Sequence, residues 1–147
     1  MAANSRFAVA THLMVALAHL AEHEVARGLF PDGWISSEFL AGSVNTNPVV
    51  VRRLLGDLRR AGLIESRTGK RGGARIARRS DAITLQDVYA AVEDGAMFAL
   101  HPQPPNKDCP VGARITSILE PVFERASSAV REEGSDVFVI NGHRGFF

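Results

Sequence analysis

The stretch that most constrains the fold of this 147-residue chain is "SVNTNPVVVRRLLGDLRRAGLI", residues 43–64. Asn47 followed by Pro48 predicts a helix start, because asparagine caps the free N–H groups of a first turn and proline needs no N–H partner there. Gly62 predicts that the helix ends near Ala61. At helical spacing one face of this helix is apolar, and it consists of Val51, Leu54, Leu55 and Leu58.

The opposite side of this helix is unusual for an exposed surface, because Val49 and Val50 lie beside Arg52 and Arg53. Such a mixture is suited to contact with DNA, because arginine hydrogen-bonds guanine and apolar side chains contact the methyl group of thymine. The alternative is that the valines pack against the preceding helix. That alternative is as strong as DNA contact for Val50 and weaker for Val49, given its angle around the axis.

A shorter helix is predicted just before, with Ser36 as its N-cap and the turn "GSVNTN" at residues 42–47 after it. Two helices joined by such a turn form a helix-turn-helix pattern. A hairpin is predicted next, with strands at residues 63–66 and 75–77. Its tip, "RTGKRGG", has three glycines and three basic residues, which can reach phosphates or a minor groove. The hairpin therefore reads as the wing of a winged helix-turn-helix.

Charge is segregated along the chain. Residues 46–79 contain ten basic side chains and two acidic ones, Asp57 and Glu65, which is a formal charge of +8. Since the whole chain has a net charge of +1, the remainder carries −7. A block of one sign favours a polyanionic partner, here double-stranded DNA, over the alternative of a merely solvated basic surface.

The second half of the chain predicts two more helices. Thr84 and Asp87 resemble a capping box at the start of one. After a proline-rich loop, a long helix is predicted over residues 110–133, with Cys109 in the cap position. Its apolar side chains form a continuous stripe: Val111, Ile115, Ile118, Leu119, Val122, Phe123, Ala126 and Val130. The stripe needs a partner, which is the same helix of a second subunit, the N-terminal helix of its own chain, or both.

These elements predict a mainly α fold class with a small β-hairpin, in which a winged helix-turn-helix domain is followed by a long dimerisation helix. The predicted divisions are a DNA-binding domain, a proline-rich loop, the dimerisation helix and an unassigned tail, at residues 1–95, 96–109, 110–133 and 134–147. No nucleophile–base motif or phosphate loop is present in the sequence, so an enzyme is not expected. His19 and His23 have a zinc-compatible spacing, but two ligands do not make a site and no metal is expected.

The chain has no run of about 18 apolar residues, so we expect no membrane span. Its start lacks the features of a signal peptide. A single cysteine excludes an intrachain disulfide, and the cytoplasm is the expected compartment.

Three stretches together, "SRFAVATHLMVALA", "VVVRRLLGDLRRAGLIESRTGKRGGARIARRSDAITLQDVYAAVE" and "CPVGARI", resemble the Rrf-two family of bacterial transcription regulators, of the IscR, NsrR and CymR type. The likeness covers about residues 5–133 and is strongest to the cysteine-poor YwnA-like branch. The resemblance implies a homodimeric winged helix-turn-helix that binds palindromic operators, usually as a repressor. It does not cover the tail.

By position, the resemblance implies DNA contacts from the recognition helix and from the wing. The helix contributes Thr46, Asn47, Pro48, Val49, Val50, Arg52 and Arg53, and the wing contributes Arg67, Thr68, Lys70 and Arg71. Iron–sulfur members have a wing tip similar to "RGPGGGY", whereas this chain has "TGKRGGA", with Thr68 in place of the arginine. Phosphate binding by the wing is therefore expected more than groove reading.

Iron–sulfur members offer three cysteines before the long helix, and this chain has only Cys109. Two iron atoms need four protein ligands, so no cluster and no other cofactor is expected. Cys109 at a helix start is a candidate redox sensor with a lowered pKa, although a small packed residue is the favoured alternative. The effector is otherwise open between a small molecule and a redox signal. The alternative function is a winged-helix module that binds a protein, which would lack the steep salt dependence of phosphate contacts.

Overall fold

The computed structural model describes residues 3–23, 28–30, 32–95, 97–136 and 139. Within them, helices predominate and the two strands form one antiparallel hairpin. The elements are α1 (Ala3–His23), α2 (Ser37–Val44), α3 (Pro48–Arg60), β1 (Ile64–Arg67), β2 (Gly73–Ile76), α4 (Leu85–Val92) and α5 (Ile115–Ser135). The predicted fold class is confirmed. No helix in the described ranges is long and apolar enough to cross a membrane.

The core lies between the first four helices and the inner side of the hairpin. The whole predicted stripe of α3 is buried, with at most 6% of any of its side chains exposed. Leu13, Met14 and Leu17 of α1 meet it and are fully buried. Because burial of each such side chain contributes about 1.5–3 kcal/mol, this contact fixes how α3 is rotated about its axis.

Three helix starts are set by local hydrogen bonds that the sequence predicts. Ser36 Oγ accepts from the Phe39 N–H at 3.1 Å and begins α2. Asn47 Oδ1 accepts from the Val49 N–H at 2.8 Å and begins α3. At α4, Thr84 and Asp87 form the predicted reciprocal capping box. The Asp87 N–H donates to Thr84 Oγ1 at 3.1 Å, and the Thr84 N–H donates to Asp87 Oδ2 at 2.9 Å. These caps are confirmed.

Two boundaries differ from the predictions. Helix α2 continues to Val44 instead of ending at Gly42, and the turn is made by Asn45, whose φ of 57° is left-handed. Asparagine tolerates that conformation, so the chain can turn later than a glycine signal suggests. The hairpin strands are also shifted, since β1 extends to Arg67 and β2 begins at Gly73.

The prediction that the long helix begins at Pro110 is wrong, because α5 begins at Ile115. Residues 107–114 instead form turns and a bend, in which the Cys109 N–H donates to the Asn106 carbonyl at 3.3 Å. An added Cβ at Gly112 would collide with that same carbonyl oxygen. The Asn106 backbone therefore occupies the space beside "CPVG", and Cys109 precedes a turn rather than capping α5.

Helix α5 packs on its own chain mainly through α4, and not through α1, which was the packing partner predicted within the chain. Phe123 lies 5.3 Å from Phe98, measured between ring centroids. The predicted apolar stripe divides into two parts. Ile115, Leu119, Phe123 and Ala126 are half-buried, whereas Val111, Ile118, Val122 and Val130 are 68, 57, 45 and 47% exposed. One apolar face of α5 is thus left without a partner among the described residues.

Most of the unassigned tail lies outside the described residues. Val139 is described, and it is buried with its N–H donating to the Ile83 carbonyl at 2.8 Å.

We expect Gly73→Ala to destabilise the fold by about 1–3 kcal/mol, the cost of overpacking. An added Cβ at Gly73 would lie 2.5 Å from the Ile35 carbonyl oxygen. The matched control is Gly42→Ala in α2, where an added Cβ meets nothing within 4 Å and about 0.5–1 kcal/mol should be gained. Urea unfolding followed by circular dichroism measures both. Equal stabilities of the two variants would contradict this packing.

Candidate nucleic-acid interface

The outward side of α3 carries the side chains predicted to contact DNA. Val49 is 56% exposed, and Arg52 and Arg53 are exposed, as predicted. Val50 is half-buried against the core, so packing accounts for part of its side chain. The face that α3 turns to solvent at its first two turns is therefore a mixture of apolar and cationic groups, which suits the floor of a major groove.

Thr46, Asn47 and Pro48 serve mainly to start this helix. The Thr46 N–H donates to the Ala41 carbonyl at 3.1 Å and closes α2, and Pro48 occupies the first helical position. Asn47 commits its Oδ1 to the Val49 N–H. A paired contact with adenine needs both the oxygen and the nitrogen of the amide, so Asn47 could make it only by sharing its Oδ1 between adenine and the Val49 N–H.

A cleft of about 460 Å³ separates α3 from the wing. Arg52 and Arg59 line it from the helix, and Thr68 and Lys70 line it from the wing. The cleft thus brings Arg52 of the predicted helix contacts together with Arg67, Thr68 and Lys70 of the predicted wing contacts. Sequence reasoning did not select Arg59 as a site residue, although its spacing of seven from Arg52 places both on one helix face.

Most arginines of the basic block are held inside the protein's own hydrogen-bond network. Arg52 pairs with Glu38 at 3.4 Å and Arg67 with Asp32 at 2.5 Å, and both acids lie outside the block in sequence. The other held residues are Arg60 on Asp57, Arg75 on Glu65, Arg79 on Asp81, and Arg78 on the carbonyls of Ala61 and Gly62. The charge available to a ligand is therefore smaller than the sequence count of +8.

Three of the acids that hold these arginines have a lowered pKa: Asp32, Glu38 and Asp81. The hydrogen bond from Arg67 lowers the pKa of Asp32, and the hydrogen bond from Arg79 lowers the pKa of Asp81. For Glu38, its own backbone N–H lowers the pKa most, with Ser37 and Arg52 adding to the effect. All three carboxylates are fully charged at neutral pH, so the ion pairs persist there.

Four cations of the block have no carboxylate within 4 Å among the residues that the structure describes. Two are on α3 and two are at the wing tip: Arg53, Arg59, Lys70 and Arg71. All four are exposed. Arg59 lines the cleft from α3 and Lys70 lines it from the wing tip. Exposed cations without a carboxylate partner are the groups expected to bind phosphate or base edges.

Cys109 is exposed, so the alternative of a packed cysteine is wrong. Hydrogen bonds from the backbone N–H groups of Gly112 and Val111 lower the pKa of the Cys109 thiol. The thiolate is therefore stabilised by the turn that follows it, instead of by the start of α5.

Comparison with known proteins gives concordant matches. Residues 3–137 match the Rrf2 family, described as an iron-dependent transcriptional regulator. The chain is 39% identical over 131 residues to a protein of Bacillus subtilis (strain 168) named "Putative HTH-type transcriptional regulator YwnA", and the match covers 88% of each chain. It is also 32% identical to the protein in "Crystal structure of a putative DNA binding protein", with a TM-score of 0.66, over 91% of this chain and 95% of that one.

A more distant similarity is to CymR of B. subtilis, described as the global cysteine regulator. The identity is 22% and the TM-score 0.61, over 95% of this chain and 93% of that one. At this identity the likeness concerns the fold.

The residues of this chain do not fit the iron centre that the family's description implies. An iron–sulfur cluster with two irons needs four protein ligands, and each chain has one thiol. In the described part of the chain, no three His, Cys, Asp or Glu side chains are grouped as a metal site would require. His19 and His23 stack on each other at 4.3 Å between ring centroids, and the Nδ1 of His23 lies 3.1 Å from the His19 carbonyl.

We expect the alkylation of Cys109 by iodoacetamide to reach half its maximal rate at a lower pH in the folded protein than in urea. The folded pKa is depressed, so the thiolate appears at a pH below that of a free cysteine, whose pKa is about 8.5. Cys109→Ser provides the blank, because the chain has no other thiol. Identical pH profiles in the folded and unfolded protein would show that the turn does not stabilise the thiolate.

Proposed function

Because the chain belongs to the Rrf2 family of transcriptional regulators, we propose that it binds a specific palindromic site on double-stranded DNA as a homodimer and acts as a repressor. The family assignment confirms the resemblance predicted from the sequence. The observation that carries the proposal is a set of four exposed cations on α3 and the wing tip that have no carboxylate within 4 Å among the described residues: Arg53, Arg59, Lys70 and Arg71.

Each side chain of the surface has a distinct role in this proposal. Arg53 reads guanine in the major groove, and Val49 meets a thymine methyl group. Arg52 must exchange Glu38 for a base or a phosphate, which makes its contribution smaller. At the wing, Lys70 and Arg71 bind phosphates, and the Thr68 hydroxyl can donate to one.

The homodimer is proposed from the exposed apolar face of α5. Ile118 and Val122 are four residues apart on one side of the helix, and about half of each is exposed. Apolar side chains aligned in this way are stabilised when a second copy covers them, and a two-fold axis gives two recognition helices for two half-sites.

Regulation is proposed to change the distance between the α3 recognition helices of the two subunits. Cys109 lies six residues before α5. Its thiol is exposed and has a lowered pKa, and it is the candidate redox sensor of the chain. An unidentified small molecule is the other candidate effector. Since bacterial DNA is cytoplasmic, the cytoplasm is the proposed site of action.

We expect Arg53→Ala to weaken binding to the specific site by about 1–3 kcal/mol and binding to random DNA much less, because a base contact carries sequence information. Lys70→Ala should weaken both equally and lower the salt slope by about 0.9, the value for one phosphate. The matched control is Arg79→Ala, which removes the same charge from an arginine that Asp81 already holds.

Fluorescence anisotropy titrations at several salt concentrations measure these effects. If the affinity for DNA does not depend on salt, the surface does not bind phosphates, and a protein partner becomes the better explanation.

We expect Ile118→Asp to convert the dimer into a monomer, because the interface would bury an unpaired carboxylate. Ile118 is exposed in a single chain, so the variant should still fold. Ser128→Asp is the control, since Ser128 is also exposed but lies on another face of α5. Sedimentation velocity distinguishes the two. A dimer of unchanged affinity in Ile118→Asp would place the interface elsewhere.

A further inference from the structure

The indole ring of Trp34, in the segment before α2, lies against the wing. The guanidinium carbons of Arg67 and Arg75, one from each strand, are 4.4 and 4.5 Å from its centroid. Each of these cations also has its own carboxylate, which is Asp32 for Arg67 and Glu65 for Arg75. Cation–π contact with tryptophan is favourable, and the carboxylates offset the repulsion between two neighbouring guanidinium groups.

The backbone of the same segment joins the hairpin. Ile35 and Ala74 exchange two hydrogen bonds, of 3.0 and 2.8 Å, and form an antiparallel bridge at the edge of β2. Both side chains are buried. Gly73 makes this approach feasible, because a side chain there would meet the Ile35 carbonyl. Residues 32–35 therefore hold the hairpin by backbone and by side chain at once.

Arg67 connects this segment to the tip of the wing. One nitrogen, Nη2, donates to Asp32 Oδ2, and another, Nε, donates to the Arg71 carbonyl, each at 2.5 Å. The second oxygen of Asp32, Oδ1, accepts from the backbone N–H of Trp34 at 3.4 Å. The side chains of Lys70 and Arg71, by contrast, have no carboxylate partner in the described part of the chain.

We infer that residues 32–35 form a wing clamp, and that Arg67 is a positioning residue that fixes the pose of the wing tip instead of binding a DNA phosphate. This inference rests on the proposed DNA binding. It divides the wing's basic residues into an anchor, Arg67, and two phosphate ligands, Lys70 and Arg71. It also reassigns a residue that the sequence places among the DNA contacts.

The clamp can be tested without DNA, because Trp34 is the only tryptophan of the chain. In Arg67→Gln and Asp32→Asn, the indole loses its ordered cover, so acrylamide should quench its fluorescence more strongly than in the unmodified protein. Lys70→Gln, which removes a wing charge that does not touch Trp34, should leave quenching unchanged. Unchanged quenching in both clamp variants would overturn the inference even if the protein binds DNA well.

The DNA affinity of Asp32→Asn distinguishes a positioning role of Arg67 from phosphate binding, because the two roles predict opposite changes in affinity. Asp32→Asn removes a negative charge near the DNA, so simple electrostatics predicts tighter binding, whereas the clamp predicts weaker binding. Asp81→Asn removes an equivalent arginine-paired acid away from the wing and should not weaken binding. Tighter binding by Asp32→Asn would overturn the inference.

Arg67→Lys gives the complementary result. Lysine keeps the charge that a phosphate needs but lacks the planar fork that donates to two acceptors at once. A positioning role predicts that Arg67→Lys and Arg67→Gln lose the same affinity and keep the salt slope of the unmodified protein. A phosphate ligand would be rescued by lysine, and glutamine would lower the slope by about 0.9. If the unmodified protein shows no salt-dependent binding, the proposed function fails, and the quenching comparison still decides whether the clamp exists.

Discussion

The burial of one apolar stripe of α3 in the core that it shares with α1, α2 and α4 determines what this protein presents to a ligand. Val51, Leu54 and Leu58 are almost completely buried, so α3 cannot rotate about its axis without exposing them. Each is worth about 1.5–3 kcal/mol when buried, and together they exceed any contact on the outer side. Val49 and Arg53 are exposed as a consequence. The side chains that are proposed to contact DNA are thus placed by the packing of the core.

The second determinant is how the protein distributes its own acids. Five acids pair with arginines of the basic block: Asp32, Glu38, Asp57, Glu65 and Asp81. In the part of the chain that the structure describes, the cations of the block without a carboxylate partner include Arg53 and Arg59 on α3 and Lys70 and Arg71 at the wing tip. Such pairing reduces nonspecific attraction to any polyanion, because a held arginine must give up a partner before it can bind another. These cations are the ones to which DNA contacts are proposed.

Local signals in the sequence were sufficient for much of this fold. The caps Ser36, Asn47 and Thr84 depend on residues within three positions, so their spacing alone predicts them. The start of α5 was missed, because the Asn106 carbonyl blocks the space beside Gly112 and no periodic pattern reports such a contact. The pairing of Arg67 with Asp32 was not predicted for a similar reason, since Asp32 lies 35 residues away in sequence. A count of charges identifies neither the carboxylate that pairs with Arg67 nor the Trp34 ring that Arg67 contacts.

The most direct measurement of the central claim is the selection of bound fragments from a pool of random duplex DNA. The account predicts enrichment of an inverted repeat whose half-sites are about 10 base pairs apart, or a multiple of that spacing, because two recognition helices related by a two-fold axis enter successive major grooves. Footprints on the selected site should weaken steeply as salt rises. Failure to enrich any sequence, or binding that salt does not change, would contradict the claim that α3 and the wing form a DNA-reading surface.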